Sequence, residues 1–170
     1  VSRQIKSLEE ELGRKDYIAL LNQFFETTST IIEDHGGEVL KFIGDAVLAV
    51  FPAGEDAKEA RAKALESARA IVARLEEIAN EDGGHRCEVS IGIDYGGVTY
   101  GNVGSQERLD FTVIGQAANI AARLGDYGKS RGHPIVVSRD IVHNGAPAVP
   151  LGAVSLHNVS RPVESFAITA

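Results

Sequence analysis

Gly36-Gly37-Glu38-Val39-Leu40-Lys41-Phe42-Ile43-Gly44-Asp45-Ala46-Val47-Leu48-Ala49-Val50-Phe51 is the stretch on which the fold turns. Two apolar runs flank a Gly-Asp pair, and glycine supplies the positive φ that a two-residue hairpin turn requires. The hairpin is therefore predicted over 38–43 and 46–51, closed by Pro52 and Gly54. Upstream, Leu8, Leu12, Leu21, Phe25 and Ile32 recur at helical spacing, with Tyr17, Ile18, Phe24 and Ile31 widening the stripe. That pattern predicts a helix over 8–32, ended by Gly36-Gly37.

Downstream, Ala64, Ala68, Ile71, Leu75 and Ile78 predict a second helix over 57–80, broken by Gly83-Gly84. Cys87, Val89, Ile91 and Ile93 alternate with polar or small residues, as in a half-buried strand. The glycine-rich segment 95–105 is expected to bend through another strand before 109–114. Gln116–Leu124 reads as a short Ala-rich helix, and 134–138 and 164–168 as late strands around a short helix and loops. Helices mixed with antiparallel hairpins predict an α+β, ferredoxin-like sandwich, its mostly antiparallel sheet covered by helices. No repeat, linker or composition shift divides the chain, so residues 1–170 read as one domain.

Composition bounds the function. The 170 residues carry 17 Lys and Arg against 24 Asp and Glu, a formal charge of −7, which argues against a broad electrostatic grip on nucleic acid. A chain this long, 44% hydrophobic, buries about 70% of its unfolded surface. No run reaches the roughly 18 apolar residues of a membrane span, and no signal peptide is visible. One cysteine excludes an internal disulfide, so the expected setting is cytoplasmic.

A few side chains carry possible chemistry. Asp45 sits in the hairpin tip, as a plain turn residue or as a carboxylate positioned for a hard cation such as Mg²⁺. Lys41 shares a predicted strand face with Val39 and Ile43, either as an edge lysine with a packed stem or as a ligand-reading amine. Asn119 and Arg123 stand four apart on one helix face, as a solvated pair or as an amide and a guanidinium suited to developing phosphate charge. Gly128-Lys129-Ser130 mimics the end of a P-loop, but Arg123 stands where that motif needs glycine. The five histidines show no metal-ligand spacing, and Cys87 reads as inert core.

The hairpin quoted above closely resembles the signature of class III nucleotidyl cyclase catalytic domains. Asp110-Phe111-Thr112-Val113-Ile114-Gly115-Gln116-Ala117-Ala118-Asn119-Ile120-Ala121-Ala122-Arg123-Leu124 resembles that family's second signature, and Ile91-Gly92-Ile93-Asp94-Tyr95-Gly96-Gly97 fits between them. The resemblance implies roles by position. Asp45 matches the second of two metal-binding aspartates. Lys41 matches the residue that reads the purine edge, and Thr112 its partner. Guanylate members generally carry Glu and Cys at those two places, so the pair Lys41 and Thr112 implies ATP. Asn119 and Arg123 match the residues that orient the ribose and stabilise the transition state. The implied reaction converts ATP to 3′,5′-cyclic AMP and pyrophosphate with two divalent cations, Mg²⁺ or Mn²⁺. It implies a homodimer with shared active sites, and a regulatory domain upstream. The alternative is a catalytically inactive cyclase-homology module for dimerisation or nucleotide sensing. A diguanylate cyclase is excluded by the lack of a Gly-Gly-Asp/Glu-Glu-Phe segment.

Two departures stand out. An ungapped match sets Val1 near the family's first metal aspartate, so the strand that carries it is expected upstream of this sequence. The late basic position that contacts phosphate reads Leu156-His157-Asn158, with Arg161 the nearest replacement.

Overall fold

The computed structural model describes residues 2–3, 6–81, 88–142 and 146–169, with side chains from residue 13 onward. The expected break at Gly83-Gly84, the reading of Cys87 as core, His85 and His143 lie outside these residues, as does Val1. The elements run β1 (Ser2–Arg3), α1 (Lys6–Asp34), β2 (Glu38–Ile43), β3 (Ala46–Val50), α2 (Ala57–Glu81) and β4 (Val89–Ile93). They continue with β5 (Thr99–Ser105), β6 (Arg108–Ile114), α3 (Gln116–Arg131), β7 (Ile135–Ser138), a 3₁₀ turn (Arg139–Ile141), β8 (Ala148–Val154) and β9 (Val163–Ile168). The fold is α+β, with antiparallel strand pairing and packed helices, as the sequence predicts. Two compact units, Val1–Ser90 and Ile91–Ala170, divide inside β4, where no change of composition could mark a boundary.

In the first unit, β1 pairs antiparallel with the start of β4, Ser2 opposite Ser90. Helix α1 has one non-helical residue, Gly13, at φ 71° and ψ 167°. Its buried line is Phe24, Thr28 and Ile32, spaced four apart, whereas Ile18 is exposed. The stripe is therefore narrower than its apolar residues suggested, and centred on a threonine. Helix α2 packs against α1, and its buried residues include Ala60, Ala64, Leu65, Ala68, Ile71 and Leu75. Asp56 caps α2, its Oδ1 accepting from the backbone N–H of Lys58 at 3.0 Å and of Glu59 at 3.2 Å. Such a cap stabilises a helix by about 1 kcal/mol.

In the second unit, β7 pairs parallel with β4 and antiparallel with β9, and β9 pairs antiparallel with β8. All of β7 is buried, which fits its unbroken Ile135-Val136-Val137 run. Helix α3 lies on β7, its Leu124 joining Val136, Val154 and Leu156 in one core. It runs seven residues beyond the Leu124 end that the sequence predicts. Gly125 and Gly128, which resemble helix breakers, are buried contact points instead. A Cβ on Gly128 would come within 2.6 Å of the His133 carbonyl oxygen. That explains the P-loop look-alike: its glycine serves packing. Strand β8 is absent from the sequence reading because Pro150 and Gly152 interrupt its pattern, and they coincide with a register shift against β9.

Candidate active site

The β2–β3 hairpin carries Lys41 and Asp45. Ile43 pairs with Ala46, leaving Gly44 and Asp45 as a two-residue turn. Gly44 has φ 59° while Asp45 keeps a negative φ, the pattern of a turn with glycine first. The half-buried Asp45 carboxylate is thus fixed to the strand ends by the shortest connection a hairpin permits.

The register corrects one expectation about Lys41. Val39 pairs with Ala49 and Lys41 with Leu48, so Leu40 is an extra residue in β2. Paired residues share a face, and neighbours along β3 alternate. Lys41 therefore lies on the face of Ile43, Leu48 and Ala46, opposite to Val39. The other face belongs to Phe42 and Val47. The Phe42 ring lies 4.4 Å from that of Phe25 on α1, and Val47 is buried. The bulge thus turns a half-buried Lys41 away from the α1 side of the hairpin.

The second unit carries the other three residues. Thr112 is half-buried on β6, directly opposite Gly101 of β5. After Ile114 the chain passes through Gly115 straight into α3. A Cβ at Gly115 would sit 2.7 Å from the Gly97 carbonyl oxygen, so only glycine permits this close strand-to-helix corner. Asn119 is exposed and Arg123 partly so, both on the side of α3 opposite to Leu124. The Arg123 guanidinium donates to Asp126 Oδ2 at 3.4 Å, an exposed i,i+3 pair. Such pairs are worth at most about 1 kcal/mol, so Arg123 can exchange this partner for a phosphate oxygen at little cost.

The position of Asn119 and Arg123 is set by a bare backbone seam. A Cβ on Gly92 in β4 would fall 1.8 Å from the Ala121 carbonyl oxygen and 2.5 Å from the Gly125 nitrogen. Helix and strand meet there with no side chain between them.

A carboxylate that the sequence did not mark as functional lies at the end of the same strand. Asp94 Oδ1 accepts a 2.6 Å hydrogen bond from Ser138 Oγ of β7. Burial holds its pKa above the ordinary value, reinforced by the nearby Asp140; hydrogen bonds from Ser138 and the Tyr95 backbone oppose the shift. The signal available was a lone Asp ending the apolar Ile91-Gly92-Ile93 run. In the segment that aligns with the family's late basic position, Leu156 is buried in the core and Asn158 takes φ 60° in a turn.

Among the described residues no three His, Cys, Asp or Glu side chains cluster as a metal-ligand group. Asp45 is one carboxylate on a rigid turn. That suits a Mg²⁺-type ion, which takes one or two protein carboxylates and completes its shell with water and substrate phosphates. No described helix is long and apolar enough to cross a membrane.

The family model of the adenylate and guanylate cyclase catalytic domain matches residues 3–147. The chain belongs to this family. An uncharacterized protein of Mycobacterium tuberculosis is 41% identical to this cyclase domain over 127 residues, 75% of this chain and 23% of that protein. An uncharacterized protein of Mycobacterium bovis is 43% identical over 115 residues, 68% of this chain and 19% of that protein. The domain thus spans about a quarter or less of the curated relatives it matches. Its fold matches that of the adenylyl cyclase CyaB from P. aeruginosa with a TM-score of 0.84 at 26% identity, covering 99% of this chain and 90% of that one. A bacterial light-regulated adenylyl cyclase matches with a TM-score of 0.83 at 28% identity, covering 98% and 49%. The guanylate cyclase domain of RhGC from Catenaria anguillulae shares the fold, with a TM-score of 0.81 at 23% identity over 98% and 91%. The architecture is that of nucleotidyl cyclases in general, consistent with nucleotide binding, divalent-cation catalysis and a homodimeric domain.

Proposed function

We propose that this domain is an adenylate cyclase, converting ATP to 3′,5′-cyclic AMP and pyrophosphate at sites shared by two copies of the chain. The observation that carries the purine choice is the pairing of residue types. A lysine amine is turned to one face of the β2–β3 hairpin by the Leu40 bulge, and a half-buried threonine hydroxyl stands at the position matching its partner. An ammonium donates to a ring nitrogen, and a hydroxyl accepts from the exocyclic amine of adenine. Guanine presents N1–H, a donor that leaves the ammonium mispaired, whereas the Thr112 hydroxyl can turn to donate to O6.

In the reaction the ribose 3′-oxygen forms a bond to the α-phosphorus, and the bond to the pyrophosphate oxygen breaks in line. Two divalent cations, when bound, supply charge neutralisation for the attacking and leaving oxygens. Asp45 would hold such a cation through its carboxylate. Asn119 orients the ribose by its side-chain amide. Arg123 stabilises the charge that builds on the non-bridging phosphate oxygens. The face of α3 that carries both is open, as substrate access requires. In the homodimer one protomer contributes Asp45 and its partner contributes the purine-reading and transition-state groups, so turnover depends on association. A cytoplasmic location and an upstream regulatory domain belong to the same proposal.

Mass-spectrometric detection of cyclic AMP, after incubating concentrated protein with Mn²⁺ and ATP or GTP, tests the reading. Cyclic AMP in excess of cyclic GMP is expected. Lys41→Glu combined with Thr112→Cys should move the ratio toward GTP, and an unchanged ratio sinks the purine assignment. A folded dimer that binds ATP without forming product would be the inactive homology module.

A further inference from the structure

Several described glycines of the second unit have a reason inside the chain. A side chain at Gly92, Gly104, Gly115 or Gly128 would strike backbone at 2.7 Å or less. Gly101 has no such reason. It lies within β5 at ordinary strand geometry, with no positive φ, and a Cβ built on it would meet nothing within 4 Å. Glycine weakens a strand interior, because it costs conformational entropy and offers no side chain to pack. Neither backbone nor packing compensates for that cost here.

Its position supplies a reason outside the chain. Gly101 is the direct cross-strand partner of Thr112, in a hairpin whose register runs without a break from Thr99–Ile114 to Ser105–Arg108. Residues paired across the hairpin share a face, so Thr99, Gly101 and Val103 on β5 face the same way as Asp110, Thr112 and Ile114 on β6. On that face Val103 is 57% exposed and Ile114 64% exposed. A hydroxyl beside a bare stretch of backbone is thus framed by two uncovered aliphatic side chains. A purine ring presents flat apolar faces and a polar edge, which fits such a frame.

We propose that Gly101 is a base-positioning residue, kept free of a side chain so that the adenine ring can lie against the β5 backbone beside the Thr112 hydroxyl. This rests on the adenylate cyclase reading and adds a residue to it. A methyl group at position 101 would stand where the ring approaches, and the two branches of valine would occupy the space beside Thr112. The change should act on binding of the base, before any phosphate chemistry, and so on KM more than on kcat.

The test uses the whole chain with Gly101→Ala and Gly101→Val. Three readouts apply: steady-state kinetics with ATP, affinity for a fluorescent non-hydrolysable ATP analogue, and the dimer fraction by analytical ultracentrifugation. Thermal melting of both variants should equal or exceed that of the wild type, since any side chain favours the strand. Gly101→Val should raise KM and weaken analogue binding roughly tenfold or more, with a smaller fall in kcat, and Gly101→Ala should do so by less. KM and affinity within twofold of wild type in the valine variant would overturn the proposal. So would loss of the dimer with affinity restored once concentration restores it, because a second copy would then occupy the space. Wild-type protein that binds no purine nucleotide overturns both this proposal and the adenylate cyclase reading. Normal wild-type binding with an indifferent valine variant overturns this proposal alone.

Discussion

Gly92→Ala puts the least possible atom into the seam between β4 and α3, and its cost follows from two distances. The new Cβ would stand 1.8 Å from the Ala121 carbonyl oxygen, whereas real Cβ atoms essentially never come closer than 3.0 Å. The deficit of about 1.2 Å lies against helix backbone, with a second contact at 2.5 Å to the Gly125 nitrogen, so no side-chain rotation relieves it. Helix α3 must move outward, and that draws Leu124 away from its core contacts with Val136, Val154 and Leu156 on the same sheet face. Overpacking of this kind costs about 1–3 kcal/mol, and rigid backbone on both sides puts Gly92→Ala at about 3 kcal/mol. For a chain of this size that lowers the melting temperature by about 6–12 °C. The same displacement moves Asn119 and Arg123 with the helix, and a misplacement near 1 Å lowers turnover about 100-fold. Melting followed by circular dichroism, with kcat at a temperature where the variant is folded, provides the check. A melting temperature within 2 °C of wild type, or turnover within about threefold, would refute the account of the seam. Gly125→Ala is the internal control: its Cβ would meet the Gly92 nitrogen at 3.3 Å, tight but tolerable, so it should cost much less.

Asp45→Asn should leave melting within about 0.5 kcal/mol of wild type, because the turn accepts either residue, yet abolish cation-dependent cyclic AMP formation; retained turnover would return Asp45 to the role of a plain turn residue. Asp126→Ala frees Arg123 from an exposed partner and should raise turnover by at most about fivefold, an effect that shrinks with added salt; a fall in turnover would mean that the pair positions Arg123 for catalysis. Asp94 has its folded-state pKa raised above an ordinary value of 3.8, chiefly by burial. Its carboxyl therefore favours folding most below 3.8, and that contribution is lost as pH rises from 3.8 through the raised value. Asp94→Asn keeps an acceptor for Ser138 without the charge, so the variant should gain stability relative to wild type as pH rises through that window; melting difference against pH is the measurement, and a gap that narrows with rising pH would refute it.

The elements most legible from sequence were those set by local chemistry. The Gly44-Asp45 turn and its flanking strands follow from a glycine between two apolar runs, and α2 follows from the 3.6-residue recurrence of Ala64, Ala68, Ile71 and Leu75. What escaped notice depends on distant neighbours. The Leu40 bulge leaves no trace in a run that is apolar on both faces, and strict alternation therefore sets Lys41 beside Val39. Helix α3 was cut short because Gly125 and Gly128 weaken a helix in isolation, and only the strands beneath show why glycine is required. Strand β8 carries Pro150 and Gly152, tolerated where β9 is its only strand partner among the described residues. The candidate site was legible in a different sense. Composition and spacing left Lys41, Asp45, Asn119 and Arg123 each with an ordinary alternative. Resemblance to the two signatures assigned their roles and that of Thr112. Gly101 was invisible by either route, because its meaning rests on a cross-strand partner and an empty volume.

The extra residue in β2 also decides how this hairpin can vary in length. The Gly44-Asp45 turn pins the register from Ile43 and Ala46 back to Lys41 and Leu48, whereas the Leu40 bulge is already an irregular step. A residue lost at that step would restore strict alternation and leave Glu38 and Val39 paired with Val50 and Ala49, on the faces they already hold. Lys41 and Asp45 would keep their places. The loss of a residue is thereby absorbed at the bulge, and the hairpin tip can hold its geometry.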